Sequence, residues 1–217
     1  MRPVIAVANQ LIQLAQADQV VLTGAQLQAL LYLSHGLRVA SVNKPLLDEP
    51  LLALRDGVTI ASLNRMGIVA GRPVKTLLAQ IVPSADGGKL RERVLALKPD
   101  DPVRPLVERT WQRYRPLSAY ELSVFLRCAG SPWDQVWNDP ARLTGGLQTA
   151  PSGVTGEDSE RAAIIPDALV RRWFRQQLIQ EQKAQAAAEG LERTMDVSSR
   201  HLEETISAVV EPELRSL

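Results

Sequence analysis

The sequence predicts an all-α protein, a compact helical domain with a helical extension at its C-terminal end. Three observations predict it. Apolar residues recur at three- and four-residue steps along most of the 217-residue chain, the spacing of one helix face. Helix-start signals stand directly ahead of those stretches, and Thr23 with Gln26 and Ser118 with Glu121 both form the capping-box pattern. Prolines and glycines such as Pro45, Pro116 and Gly130 punctuate the spaces between them. Only 51–83 leaves room for another structure, because its valines and isoleucines suit a short β-hairpin.

In the first helix Ile5, Ala8, Ile12 and Ala15 share a face, with Pro3 in the first turn. The second opens at Thr23 and carries Leu27, Leu30, Leu31, Ser34 and Leu37 or Arg38 inward until Asn43-Lys44-Pro45 stops it. Residues 46–58 read as a short helix or an extended stretch. Two short helical candidates follow, 59–70 and 73–82, and then a loop holding Asp86-Gly87-Gly88. Asp101 ahead of Pro102 reads as an N-cap for a helix with Leu106, Val107, Thr110, Trp111 and Tyr114 inward. After Pro116, the Ser118 box starts a helix with Leu122, Phe125 and Leu126 as its stripe. Gly130 closes it, and Ser131-Pro132-Trp133-Asp134 opens another, with Trp133 and Trp137 four apart on one face. Their expected use is to wedge against the preceding helix.

The stretch 140–163 is rich in Gly, Ser, Thr and Pro and reads as a mobile loop. A long helix follows from near Pro166 with Leu169, Val170, Trp173 and Phe174 buried. Its distal half is poor in large apolar residues, and Gly190 interrupts it. The tail holds a last amphipathic helix aligning Leu202, Ile206 and Val209 or Val210.

Twenty-five basic residues against 24 acidic ones leave a net charge of +1, so the basic excess expected of a nucleic-acid binder is absent. Cys128 is the sole cysteine, which rules out an intramolecular disulfide and a cysteine-built metal site. The first residues are too polar for a signal peptide, and no run nears the roughly 18 apolar residues of a membrane span. A cytoplasmic, bacterial-type chain is expected.

Candidate chemistry is sparse. Gly87-Gly88-Lys89 lacks the hydroxyl residue and the earlier glycine of a phosphate loop. Ser34 and His35 diverge by about 100° on a helix, so they form no nucleophile–base pair. Asp48 and Glu49, with His35, are the one set that suits general acid–base work or a hard metal, and a charged turn explains the carboxylates equally well. His201 has no visible partner. No enzyme, no cofactor, no metal and no small-molecule substrate are therefore expected.

Several stretches, in order, resemble the Panacea antitoxin domain, a family that includes SocA-like proteolytic adaptors. The first is Val7-Ala8-Asn9 followed by the segment from Leu22 to Ala40, with Thr23, Gln26, Leu27, Tyr32, His35 and Gly36. The second runs from Lys44 to Val58, with Asp48, Glu49 and Gly57. The third covers 110–137, with Tyr114, Ser118, Leu122, Ser131, Pro132 and Trp133, and 164–174 resembles the element that closes the domain. Leu54, Asp56-Gly57-Val58 and Leu126-Arg127 depart from the family's Trp, Gly-Pro-Val turn and Thr-His, and the middle, 59–100, matches poorly.

The resemblance implies a helical domain over 1–174, including the loop 140–163, and leaves 175–217 as an extension. It implies an antitoxin that binds a cognate toxin or delivers it to a Clp-type protease. The variable middle, 59–100, and the C-terminal helices are the expected partner surface, with the stripe of Leu202, Ile206, Val209 and Val210 as the candidate contact there, or as a homo-oligomer contact between C-terminal helices. The alternative is a non-enzymatic structural, assembly or immunity-type subunit of a larger bacterial or phage complex.

Overall fold

A computed structural model describes residues 1–83, 90–139 and 162–188. The chain divides into two units, Met1–Phe174 and Arg175–Leu217. In the first, helices α1 (Val4–Ala17) and α2 (Gly24–Val42) lead into strands β1 (Leu51–Leu54) and β2 (Gly57–Thr59) and a short helix α3 (Ala61–Arg65). A second strand pair, β3 (Ala79–Pro83) and β4 (Leu90–Val94), precedes α4 (Arg104–Tyr114), α5 (Ala119–Leu126) and α6 (Pro132–Trp137). Strand β5 (Ala163–Ile165) and the helical residues 167–174, here α7, complete it. In the second unit, residues 175–188 are helical and mostly exposed.

The all-α expectation is overturned. Of the described residues about 53% are helical and 14% extended, in two small antiparallel sheets. One sheet has the order β2-β1-β5 and the other is the ribbon β3-β4. A four-residue apolar run such as Leu51–Leu54 carries no period that separates strand from helix. Pairing decides it: Leu51 lies opposite Ile165 on one side, and Leu52 opposite Thr59 on the other. The hairpin expected within 51–83 is present as β1–β2, and Gly57 turns it with φ +132°, a value that disfavours any side chain. Strand β3 finds its partner outside that window, and the helix expected over 73–82 does not form. Of 59–70, only Ala61–Arg65 is helical.

Helix α2 is the axle of the first unit, packed by α1, α4, α5 and β2. It is buried well beyond the single stripe read from the spacing, with Gln28, Ala29, Tyr32, Leu33, His35 and Gly36 inside as well. Its start is the expected capping box: the Thr23 hydroxyl accepts from the Gln26 N–H, and the Gln26 side chain accepts from the Thr23 N–H. At its far end Phe174 meets Tyr32 edge-on at 5.6 Å. That approach requires Gly36, because a β-carbon there would overlap the Phe174 ring.

Helix α4 starts later than expected. Asp101 does accept from the Val103 N–H at 3.0 Å, yet its carboxylate also takes the Arg2 guanidinium at 2.7 Å, and the helix begins at Arg104 with Pro105 in its first turn. Desolvation pushes the Asp101 carboxyl up, and the Arg2 and Val103 hydrogen bonds with the Arg2 and Arg38 charges bring it below its ordinary value. The expected boxes at Ser118 and the cap at Ser131 are both present. The loop over 140–163 lies outside the described residues up to 161, and Ala163 already belongs to β5. Gly190, His201 and the stripe Leu202, Ile206, Val209 and Val210 lie outside the described residues too, as do Gly87, Gly88 and Lys89.

Candidate functional site

The ribbon β3–β4 is the part of the first unit least used by its core. Ala79 pairs with Val94, Ile81 with Glu92 and Val82 with Arg91. Residues directly opposite share a face, and successive residues alternate. One face therefore carries Ala79, Ile81, Leu90, Glu92 and Val94, and the other Gln80, Val82, Arg91 and Arg93. On the first face Ile81 is 68% exposed and Leu90 73%, so the ribbon presents apolar side chains to solvent. On the second, neither Arg91 nor Arg93 has a carboxylate partner among the described residues.

What anchors this arm is Asn9 on α1. Its amide nitrogen donates to the Leu78 and Leu95 carbonyls, each at 2.8 Å, and its oxygen accepts from the Leu78 N–H at 2.7 Å. Leu78 and Leu95 are the residues just outside the two strands, so one buried amide clamps both legs of the ribbon at its base. The chain leading to the arm is tied down as well. Val74 N–H donates to the Leu22 carbonyl at 2.7 Å, and Gln16 donates to the Lys75 carbonyl at 3.0 Å.

A cleft of about 250 Å³ opens between α2, the β1–β2 turn, α3 and α5, with Gln28, Thr59, Asn64, Ser123 and Arg127 among its lining. Its polar groups are largely spent on one another. Gln28 accepts from the Thr59 hydroxyl at 2.6 Å and the Ile60 N–H at 3.0 Å, and donates to Asn64 at 3.2 Å. Arg127 lies over the Trp133 ring at 5.7 Å, and its Nε is buried without an acceptor among the described residues.

The residues singled out for acid–base work do not converge. Asp48 accepts from the Val4 N–H at 3.1 Å and so caps α1, whereas Glu49 accepts from the Ser62 N–H at 3.1 Å at the start of α3. Each carboxylate thus supplies a helix N-terminus that has no capping side chain of its own. His35 is buried; its Nδ1 faces the Leu47 N–H at 3.4 Å and its Nε2 faces Asp167 at 3.1 Å. An Nδ1 that accepts leaves the proton on Nε2, which donates to the carboxylate. Burial pushes the imidazole below its ordinary pKa, against the opposing pull of Asp167. The Ser34 hydroxyl donates to the Leu30 carbonyl at 2.8 Å, away from His35. Cys128 is exposed, and partial desolvation with the nearby Asp134 charge raises its thiol pKa. Among the described residues no three His, Cys, Asp or Glu side chains gather as a metal site.

Trp133 and Trp137 stack at 5.8 Å with ring planes 13° apart. Trp133 is buried, and its indole N–H donates to the Leu54 carbonyl at 2.8 Å. The corner therefore hangs from β1 rather than from the preceding helix alone. Tyr114 packs against Phe125 at 6.3 Å, Leu122 is buried, and Leu27 is fully enclosed.

Sequence reasoning missed the arm residues Ile81, Leu90, Arg91, Arg93 and Val94. The available signal was the β-branched pair Ile81-Val82 and a charged run bounded by Leu90 and Val94 on either side of Asp86-Gly87-Gly88, a hairpin pattern. No family model matches the chain, and no similar protein was found among curated sequences or solved structures.

Proposed function

We propose that this chain is a protein-binding antitoxin, neutralising a cognate toxin by direct contact or by handing it to a Clp-type protease in the cytoplasm. The observation that carries the reading is the β3–β4 arm, an amphipathic ribbon with Ile81 and Leu90 turned to solvent on a base held by Asn9. Exposed apolar side chains on a positioned element are the mark of a contact surface for another macromolecule. The resemblance of the stretches around Asn9, His35 and Trp133 to the Panacea domain supports the same reading. Among the described residues no helix is long and apolar enough to cross a membrane.

The test is co-expression with the product of the adjacent gene. The expected result is that the neighbour alone arrests growth, that this chain relieves the arrest, and that the two co-purify. Ile81→Lys with Leu90→Lys is expected to abolish both relief and co-purification. A neighbour that is harmless alone and does not co-purify would overturn the antitoxin reading.

A further inference from the structure

The outer edge of β4 carries information about its partner. The second sheet ends at β4, and no other described backbone segment hydrogen-bonds to Leu90–Val94. All five of its residues are exposed. An edge of this kind accepts one more strand through its main chain, and its side chains decide which strand.

Self-pairing is the first occupant to weigh, and the register counts against it. A second copy of β4 laid antiparallel and centred on Glu92 sets Arg91 opposite Arg93 and Glu92 opposite Glu92. Centred on Arg91 or on Arg93, it sets an arginine opposite itself. Like charges directly opposite destabilise a strand pair. The same two arginines lie on one face with no carboxylate partner among the described residues, while Leu90 and Val94 lie on the other face with apolar surface to cover.

We infer that the β4 edge docks an extended segment of another protein in which carboxylates face Arg91 and Arg93, apolar residues face Leu90 and Val94, and an uncharged residue faces Glu92. The main chain of the incoming segment completes the hydrogen-bond ladder of β4. Its acidic side chains meet the two guanidinium groups, and its apolar ones cover Leu90 and Val94. This deepens the proposed function by giving the partner's contact segment a chemistry. It rests on the arm being the contact surface.

The experiment uses the full chain and two fluorescein-labelled peptides, one with the core Val-Glu-Thr-Glu-Val and one with lysines in place of both glutamates. Binding is read by fluorescence anisotropy at low salt. The acidic peptide is expected to bind about tenfold more tightly than the basic one, the size of two cross-strand charge pairs. The double variant Arg91→Glu with Arg93→Glu, with its fold checked by circular dichroism, is expected to reverse that preference. Three outcomes would overturn the inference: no binding or equal binding of the two peptides, a preference that survives the charge reversal, or displacement of the acidic peptide by a thymidine oligonucleotide. A dimer seen by light scattering and abolished by the same double variant would also overturn it, in favour of self-pairing. Because no toxin is present, failure here leaves the co-expression result standing, and failure of co-expression leaves the peptide result standing.

Discussion

Helix α2 and the β3–β4 arm sit in the same unit and are built on opposite terms. Thirteen residues of α2 are buried, whereas every residue of β4 is exposed. The helix is held by side chains from all around it: α1, α4, α5 and β2 pack on it, and Phe174 seats against Gly36. The arm is held only at its base, where Asn9 grips the backbone of Leu78 and Leu95 and the chain just before it is tied to Leu22 and Gln16. A two-stranded ribbon is marginal by itself in water, so its order depends on that grip. The difference teaches that core packing stabilises one region and positions the other. On the proposed reading, a contact surface keeps its apolar side chains out of the core and borrows rigidity from it.

The sharpest way to break the α2 side of the comparison is Gly36→Ala. The added methyl overlaps the Phe174 ring, and the ring is boxed by Tyr32 and Trp173. Overpacking a buried contact of this kind is expected to cost about 3 kcal/mol. A fall in the urea midpoint measures it, and an unchanged midpoint would mean that α7 does not seat on α2 as described.

Next in size is Asn9→Ala, which separates the two regions. It removes the partners of a buried N–H and of two carbonyls, each costing about 1 kcal/mol or more while unsatisfied; water reaching the part-buried Leu95 carbonyl brings the net to about 2 kcal/mol. Amide hydrogen exchange should accelerate through β3 and β4 well before it accelerates in α2. Uniform acceleration across both would show that the arm and the helical body open as one unit.

The contrast also marks what was legible beforehand. Caps could be read because they are local: Thr23 with Gln26, Ser118 with Glu121, and Ser131 with Asp134 each lie within three residues. Strands could be read only as room for a short hairpin within 51–83, because Leu51 becomes extended through its pairing with Ile165, which no local spacing reveals. Asp48 and Glu49 looked like one feature and serve two helices, since a carboxylate neighbouring another in sequence need not share its direction. On α2 the spacing made Leu27, Leu30 and Leu31 readable as core, but not Tyr32, His35 or Gly36, which its other faces bury. The arm was not readable, because its strands are only five residues each and neither Ala79–Pro83 nor Leu90–Val94 alternates apolar with polar residues.

His35 gives a third, smaller effect that bears on the α2 side alone. Its pKa in the folded chain lies below the ordinary 6.5, chiefly through burial. The unfolded chain therefore takes up a proton first as the pH falls. Stability is fully present above about pH 6.5 and declines as the pH drops toward the lower folded value. Urea unfolding at pH 7.5 and 5.5 should show this loss, and His35→Gln should flatten it. A wild-type chain more stable at pH 5.5 would mean that the Asp167 interaction outweighs burial.

The smallest stability effect is expected on the arm, and it sharpens the comparison most directly. Ile81→Lys with Leu90→Lys replaces two large apolar residues, a pair of changes that would be ruinous at Leu30 or Leu31, which are almost fully enclosed. At 68% and 73% exposure these two side chains have left little of their surface out of water, so little transfer free energy is lost with them. The lysines also find Glu92 on the same face. The double variant should unfold within about 0.5 kcal/mol of the parent, the range of ordinary surface substitutions, while losing the proposed partner. A midpoint shift several times larger would mean that the exposed face of the ribbon is covered by the protein's own chain, and the arm would then belong to the core side of the comparison.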